Sequence, residues 1–225
     1  MTKRIVLVLK SGGDFAFSDV RLISDHIIKK WVSEEKPEII CFWDKAFMEF
    51  TIDHIHIKPL PIDSPGWWSR IFLYSPMVAD LLPFLYIDLD TAVIQSLEHI
   101  FDVVKSYESK WVTLDDFWQP GLLATGLVWF PKNNPKFDLV WKKWNEAGFV
   151  ERKGRMDAFL RSVTTADLFW QKIIPNILDF KPKYAQSKFL TGLPFDANLV
   201  CFHGKPRIPQ AAFIPWVDKY IKEVE

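Results

Sequence analysis

The chain has 225 residues, with 28 Lys and Arg balancing 28 Asp and Glu. Zero formal net charge argues against a nucleic-acid or anionic-membrane binder, whose affinity comes largely from clustered cations. An aromatic content of 16% excludes global disorder, and the length is enough to bury a full core in one domain.

In chain order, Ile5–Leu9 is a continuous β-rich run that ends in a Ser11-Gly12-Gly13-Asp14 turn. Over 19–32 the apolar residues Val20, Ile23, Ile27 and Trp31 recur every three to four positions, which predicts a helix. Glu38–Trp43, entered through Pro37, reads as a second buried strand. Ile55 and Ile57 alternate with His54 and His56, as in a short strand with one wet face. A helix is expected from Trp67 to about Tyr74, between Pro65-Gly66 and Pro76. Phe84–Ile87, Trp111–Leu114 and Leu122–Phe130 read as further strands. Pro135–Ala147 reads as a helix with Phe137, Val140, Trp141 and Trp144 on one side, followed by a helix over Thr165–Ile174 and a strand over Leu199–Phe202. Cys41 and Cys201 lie inside apolar runs and are expected to be buried, reduced thiols. The apolar stretch after Arg4 is shorter than the core of a signal peptide, and no run approaches the roughly 20 residues of a membrane span. A soluble, cytoplasmic chain without a transmembrane segment is therefore expected.

Fully apolar strands alternating with helices in the first half imply an α/β fold with a mostly parallel central sheet flanked by helices. Such sheets bind ligands beyond the carboxyl ends of their strands, so the loops after Leu9, Trp43 and Ile87 are expected to form one wall of a site. The segment PFLYIDLDTAVI places Asp88 and Asp90 there, two residues apart, so that both carboxylates point into the same space. Eighteen aspartates in this chain supply about one Asp-x-Asp by chance, so the information lies in the placement after a strand. Carboxylate oxygens suit Mg²⁺ or Mn²⁺, which commonly complete their shells with substrate phosphates. A second constellation, LVCFHGKPRIP, offers His203 as an imidazole ligand, Gly204 for close backbone approach and Lys205 as a point charge for phosphate.

YIDLDTAVI followed about 110 residues later by FHGKP resembles the GT-A nucleotide-sugar glycosyltransferases, in particular the family-eight-like group that includes glycogenin and lipopolysaccharide galactosyltransferases. VLKSGGDF, CFWD and PGWWSR are also similar to that group's nucleotide loop, second strand and helix before the Asp-x-Asp, in matching order. The resemblance implies a GT-A, Rossmann-like single domain over 1–225, with a nucleotide-binding half at about 1–95 and an acceptor-side half at about 96–225. It implies Mn²⁺ or Mg²⁺ held by Asp88, Asp90 and His203, and a diphosphate contacted by Lys205 and Gly204 and steadied by Arg70. Leu9 and Lys10 would border the nucleoside, and Asp44 would bond the base. Asp167, with Asp90, would act at the reacting centre. Leu168 departs from the family's Gln at the next position, and the late motif is shorter than the family's. Asp116 and Trp118 are expected on the acceptor side, Trp118 stacking on a sugar. The function implied is transfer of a sugar from a nucleotide-sugar donor, with UDP as the nucleotide, to a glycan or other hydroxyl acceptor. The alternatives are a haloacid-dehalogenase-type phosphatase, which would carry its Asp-x-Asp on the first strand, and an inactive relative that only binds sugar or nucleotide.

Overall fold

Continuous apolar runs in the early strands put apolar side chains on both faces of the sheet and require a cover on each, which the structure supplies. The computed structural model describes residues 2–147, 155–180, 192 and 196–224. Strands β1 (Arg4–Leu9), β2 (Glu38–Trp43), β3 (Phe50–Ile52), β4 (Ile55–Pro59), β5 (Phe84–Ile87), β7 (Val112–Asp115), β8 (Leu123–Phe130) and β9 (Leu168–Phe169) form the large sheet. Its order is β3-β4-β2-β1-β5-β8-β7-β9. The block β4-β2-β1-β5 is parallel, while β8 runs antiparallel to β5 and to β7. A small sheet of β6 (Thr91–Val93), β10 (Ile177–Asp179) and β11 (Leu199–Cys201) stands beside it, in the order β10-β11-β6.

On one face Ile5, Leu7 and Leu9 pack with Val20, Ile23 and Ile27 of α1 (Phe17–Lys30) and Ile100, Phe101 and Val104 of α2 (Glu98–Val104). On the other face Val6 and Val8 pack in a cluster with Phe137, Val140 and Trp144 of α3 (Pro135–Glu146) and Leu160 of α4 (Met156–Val163). Each such side chain, fully buried, is worth about 1.5–3 kcal/mol. Asn134 caps α3 by accepting from Lys136 N at 3.0 Å, and Pro135 starts the helix where no intrahelical N–H is needed. A third cluster joins Ala92, Val200 and Phe202 to Val217 and Tyr220 of α5 (Pro215–Lys222). Cys41 and Cys201 are buried and free. Among the described residues no helix is long and apolar enough to cross a membrane.

The helix expected from Trp67 to about Tyr74 is present, as a 3-10 helix over Gly66–Tyr74. Segment 165–174 is not a helix: it forms β9, followed by a 3-10 turn at Trp170–Lys172. The cause is tertiary, because β9 pairs with β7, and fully buried Trp170 donates its indole N–H to Leu127 O at 3.1 Å.

Candidate active site

The carboxyl ends of β1, β2 and β5 meet at one edge of the sheet. Asp88 follows β5, its N–H bonded to Gly126 O of β8 at 2.9 Å, and a turn closes from Thr91 N to Asp88 O at 3.1 Å. Between the two aspartates Leu89 enters the core, so the carboxylates keep company with each other. Asp88 Oδ1 accepts from Arg70 Nη1 and from the Tyr86 hydroxyl. Burial alone would lower the Arg70 pKa, but the Asp88 carboxylate holds it well above its usual value. Asp90 is 7% exposed and accepts from Arg207 Nη1. Burial, then the neighbouring Asp88 charge, pushes the Asp90 pKa up against the opposing pull of His203 and Arg207.

Gly204, at φ 76°, turns the chain after β11 in a backbone conformation that favours glycine, with His203 and Lys205 on either side. His203 packs against Phe117, ring centroids 5.3 Å apart, and its Nε2 is buried without a hydrogen-bond partner. A Cβ placed on Gly126 would lie 3.5 Å from His203 Cε1 and 3.8 Å from Asp88 Oδ2, so this glycine leaves the gap between them open. Lys205 is exposed and close enough to Asp14 to lower that carboxyl's pKa, behind the larger effect of Arg207.

Leu9 is buried at the end of β1, and next to it Lys10 Nζ bonds Asp63 Oδ1 at 2.7 Å and pairs with Asp44 Oδ2 at 3.1 Å. Asp44 Oδ1 also accepts from Ser11 N at 2.8 Å. Burial opposes ionisation of Asp44, but the Ser11 and Lys10 hydrogen bonds outweigh it and hold the carboxyl below its usual range. The structure thus brings Lys10 and Asp44 together after β1 and β2, and Arg70, Asp88, Asp90 and His203 together beyond β5.

Asp116, expected on the acceptor side, serves its own loop. Its carboxylate accepts from Trp118 N at 2.7 Å, from Gln119 N at 3.0 Å and from Arg161 Nη2 of α4. Trp118 is 40% exposed, and it is the adjacent Phe117 that touches His203. Trp67 is exposed while Trp68 stacks on Trp144 at 4.8 Å, inside the core. Asp167 is not brought to the site. It takes Trp111 N and Asn134 Nδ2, each at 2.8 Å, and Lys136 Nζ, at the end of β7 opposite Asp115. His54 pairs with Asp25 at 3.3 Å and His56 with Thr51 at 3.1 Å, so these two histidines serve separate contacts.

Sequence reasoning missed Gly126, Tyr86, Asp157 and Arg207. Asp157 of α4 bonds Thr125 Oγ1 and faces Arg70 from behind. Arg207 lay in plain view four residues after His203, and a lone arginine past a turn carries no signal until its partners are known.

The chemistry of Asp88, Asp90 and His203 suits a divalent ion: two carboxylates, one imidazole and an orphaned buried Nε2 beside a gap that Gly126 keeps clear. Both carboxylates are nevertheless engaged by arginines. Among the described residues no three His, Cys, Asp or Glu side chains converge closely enough to hold an ion.

No protein-family model matches the chain, and no curated protein does. In three dimensions it is similar to solved glycosyltransferases. The galactosyltransferase LgtC, in complex with donor and acceptor sugar analogues, aligns with a TM-score of 0.67 at 10% identity, over 97% of this chain and 94% of that one. The glycosyltransferase GlyE of Streptococcus pneumoniae TIGR4 aligns with a TM-score of 0.63 at 11% identity, over 98% of this chain and 60% of GlyE. Mouse xyloside xylosyltransferase 1 aligns with a TM-score of 0.54 at 9% identity, over 92% and 98%. At these identities the likeness is one of fold, and the fold is that of the GT-A glycosyltransferases.

Proposed function

We propose that this chain is a divalent-ion-dependent glycosyltransferase that moves a sugar from a nucleoside diphosphate, UDP, to a glycan or other hydroxyl acceptor. The observation that carries it is the meeting of Asp88, Asp90, His203 and Arg70 at the carboxyl end of β5, in a GT-A fold. The same fold favours this reading over a phosphatase.

As the sugar leaves, negative charge grows on the diphosphate, and fixed cations that meet it lower the barrier. An ion held by Asp88, Asp90 and His203 would supply most of that positive charge. Lys205 adds a point charge, and Gly204 allows the backbone to approach. Arg70 and Tyr86 fix the Asp88 carboxylate so that it need not reorganise during the reaction. Asp44, ionised and oriented by Ser11 and Lys10, accepts from the base, with Leu9 as the apolar floor. Trp118 offers an aromatic face to the acceptor. Asp167, tied at the far end of β7, takes no part.

The test is thermal unfolding with UDP, GDP and dTDP, each with Mn²⁺ and with EDTA. A ligand at 100 times its dissociation constant stabilises by about 2.7 kcal/mol, a shift of roughly 5–10 °C at this size. A shift of that size with UDP that vanishes in EDTA is expected. No shift with any nucleotide overturns the donor site, and an equal shift in EDTA overturns the ion.

A further inference from the structure

Strand β3 is the outermost strand of the large sheet. Its register with β4 sets Ile52 opposite Ile55 and Phe50 opposite Ile57, around a two-residue turn at 53–54. Residues that flank such a turn exchange both backbone bonds, so Ile52 and, two positions back, Phe50 direct their N–H and C=O inward to β4. Thr51 between them directs its own outward, where among the described residues neither group has a partner. Neither proline nor lysine interrupts Phe50–Ile52 to guard this edge. Just before the strand, Phe47 is 97% exposed and Met48 70%, while Ala46 beside them is buried and bonded to Trp43 O at 3.2 Å. Phe50 is exposed too, and Ile52, on the same face of the strand, packs against the core.

We propose that β3 pairs with β3 of a second copy of this chain, antiparallel about a two-fold axis at Thr51. Exposed apolar side chains suit several partners, but the outward N–H and C=O of Thr51 narrow the choice to an extended strand, since lipid would bury both groups unpaired. Among strands, β3 itself complements this edge. About the axis Thr51 meets Thr51, and each N–H finds the other's C=O. Phe50 then falls opposite the second copy's Ile52, apolar on apolar, which continues the core layer across the axis. Glu49 falls opposite the second copy's Asp53, but each carboxylate already holds a cation, Lys58 at 2.8 Å and Arg21 at 2.7 Å, so the strand ends meet as neutral pairs. Phe47 and Met48 extend past Phe50 toward the second copy's turn at 53–54. An aromatic side chain buries roughly 150–250 Å², so both sets of Phe47, Met48 and Phe50 with the paired backbone cover on the order of 1,000 Å², the low end for a specific interface. The result is a weak, reversible dimer with one continuous sheet. It goes beyond the donor reading and does not depend on it.

Sedimentation equilibrium of the full chain from about 1 µM to about 1 mM is expected to show monomer passing into dimer, and monomer throughout overturns the proposal. Cysteine substitution tests the register, because the native Cys41 and Cys201 are buried. Across the axis the two residues at 51 lie about 5.5 Å apart between Cα atoms, within the span of a disulfide. The two at 49 lie roughly 14 Å apart, beyond it. Under mild oxidation Thr51→Cys is expected to form a covalent dimer and Glu49→Cys to stay monomeric. No cross-link at 51, or equal cross-linking at both positions, overturns the two-fold at Thr51. Phe47→Ser combined with Met48→Ser alters side chains that hardly touch the fold, and is expected to weaken the dimer at least about tenfold. An unchanged dimer constant in that variant overturns the proposal. So does flotation of a monomeric wild type with phosphatidylcholine vesicles that the double variant loses, which would give Phe47 and Met48 to a lipid surface.

Discussion

Gly126 shows how much of the site depends on an atom that is not there. It lies on β8 opposite Asp88 and accepts the Asp88 N–H, which sets the height of the carboxylate. The absence of a Cβ keeps open the space that Asp88 Oδ2 and His203 Cε1 border. In Gly126→Ala the new methyl meets Leu114 Cδ1 at 3.2 Å, a flexible tip that can yield a few tenths of an ångström, so the fold is expected to survive. The same methyl stands in the gap between carboxylate and imidazole. Mn²⁺ affinity is therefore expected to fall by roughly 10–100-fold, the usual cost of disturbing the surroundings of metal ligands. Calorimetric titration of Mn²⁺ checks it, and an unchanged affinity in a folded variant would place the ion elsewhere. The other residues of the site have the same character: Arg70, Tyr86 and Ser11 hold a carboxylate in place.

Asp167 matters at the scale of elements. Its carboxylate joins the start of β7, through Trp111 N, to the cap of α3, through Asn134, and to Lys136 in the first turn of that helix. Burial raises its pKa, but the hydrogen bond from Lys136 and those from Trp111 and Asn134 outweigh it and hold the carboxyl below its usual range. Asp167→Ala leaves those donors short of a partner and is expected to cost about 1–3 kcal/mol, a fall in Tm of roughly 2–10 °C. UDP affinity is expected to stay at the wild-type value. A variant of wild-type stability that fails to bind UDP would return Asp167 to the reacting centre. The contacts of Asp167 show what a sequence carries and what it does not. Strands with continuous apolar runs, such as Glu38–Trp43 and Phe84–Ile87, were legible to the residue, because a buried strand has no other use for such a run. The pair at Asp88 and Asp90 was legible only as a motif after an apolar strand, since in the fold both lie past the end of β5, where the turn from Thr91 N to Asp88 O sets their directions. The segment at 165–174 has a helical spacing of apolar residues and was misread, because the deciding contacts, Asp167 N to Trp111 O and Trp170 to Leu127 O, come from strands far away in sequence. Arg207 and Gly126 were illegible for the same reason: their roles exist only through partners brought in by the fold.

At the scale of the molecule, α1 near the start of the chain and α5 near its end meet through a buried histidine, beside the pairing of Lys29 and Lys30 with Glu223. His26 is 0% exposed, lies within 2.7 Å of Tyr220 O through Nε2, and stacks on the Tyr220 ring at 3.6 Å between centroids. The Tyr220 hydroxyl oxygen in turn accepts from Val93 N at 3.1 Å, and Val93 ends the short strand that begins next to Asp90. Acid that disturbs this contact therefore acts on the support of the site. Burial, joined by the nearby Lys30 and opposed by the bond to Tyr220 O, pushes the His26 pKa down to about 4. Its Nδ1 is buried with no partner, so a second proton would be a charge with nothing to meet it. The sign follows from proton linkage. Between pH 6.5 and about 4 the unfolded chain binds a proton at His26 that the folded chain does not, so stability falls as pH falls through that window and is unaffected by His26 above it. Urea unfolding at a series of pH values should show this slope in the wild type. His26→Gln keeps an N–H for Tyr220 O and carries no titrating group, so the slope between pH 6.5 and 4 should flatten while the loss at lower pH from carboxylates remains. An identical slope in the variant would mean that the acid sensitivity of the α1–α5 contact lies in some other group, and that His26 is held there by packing alone.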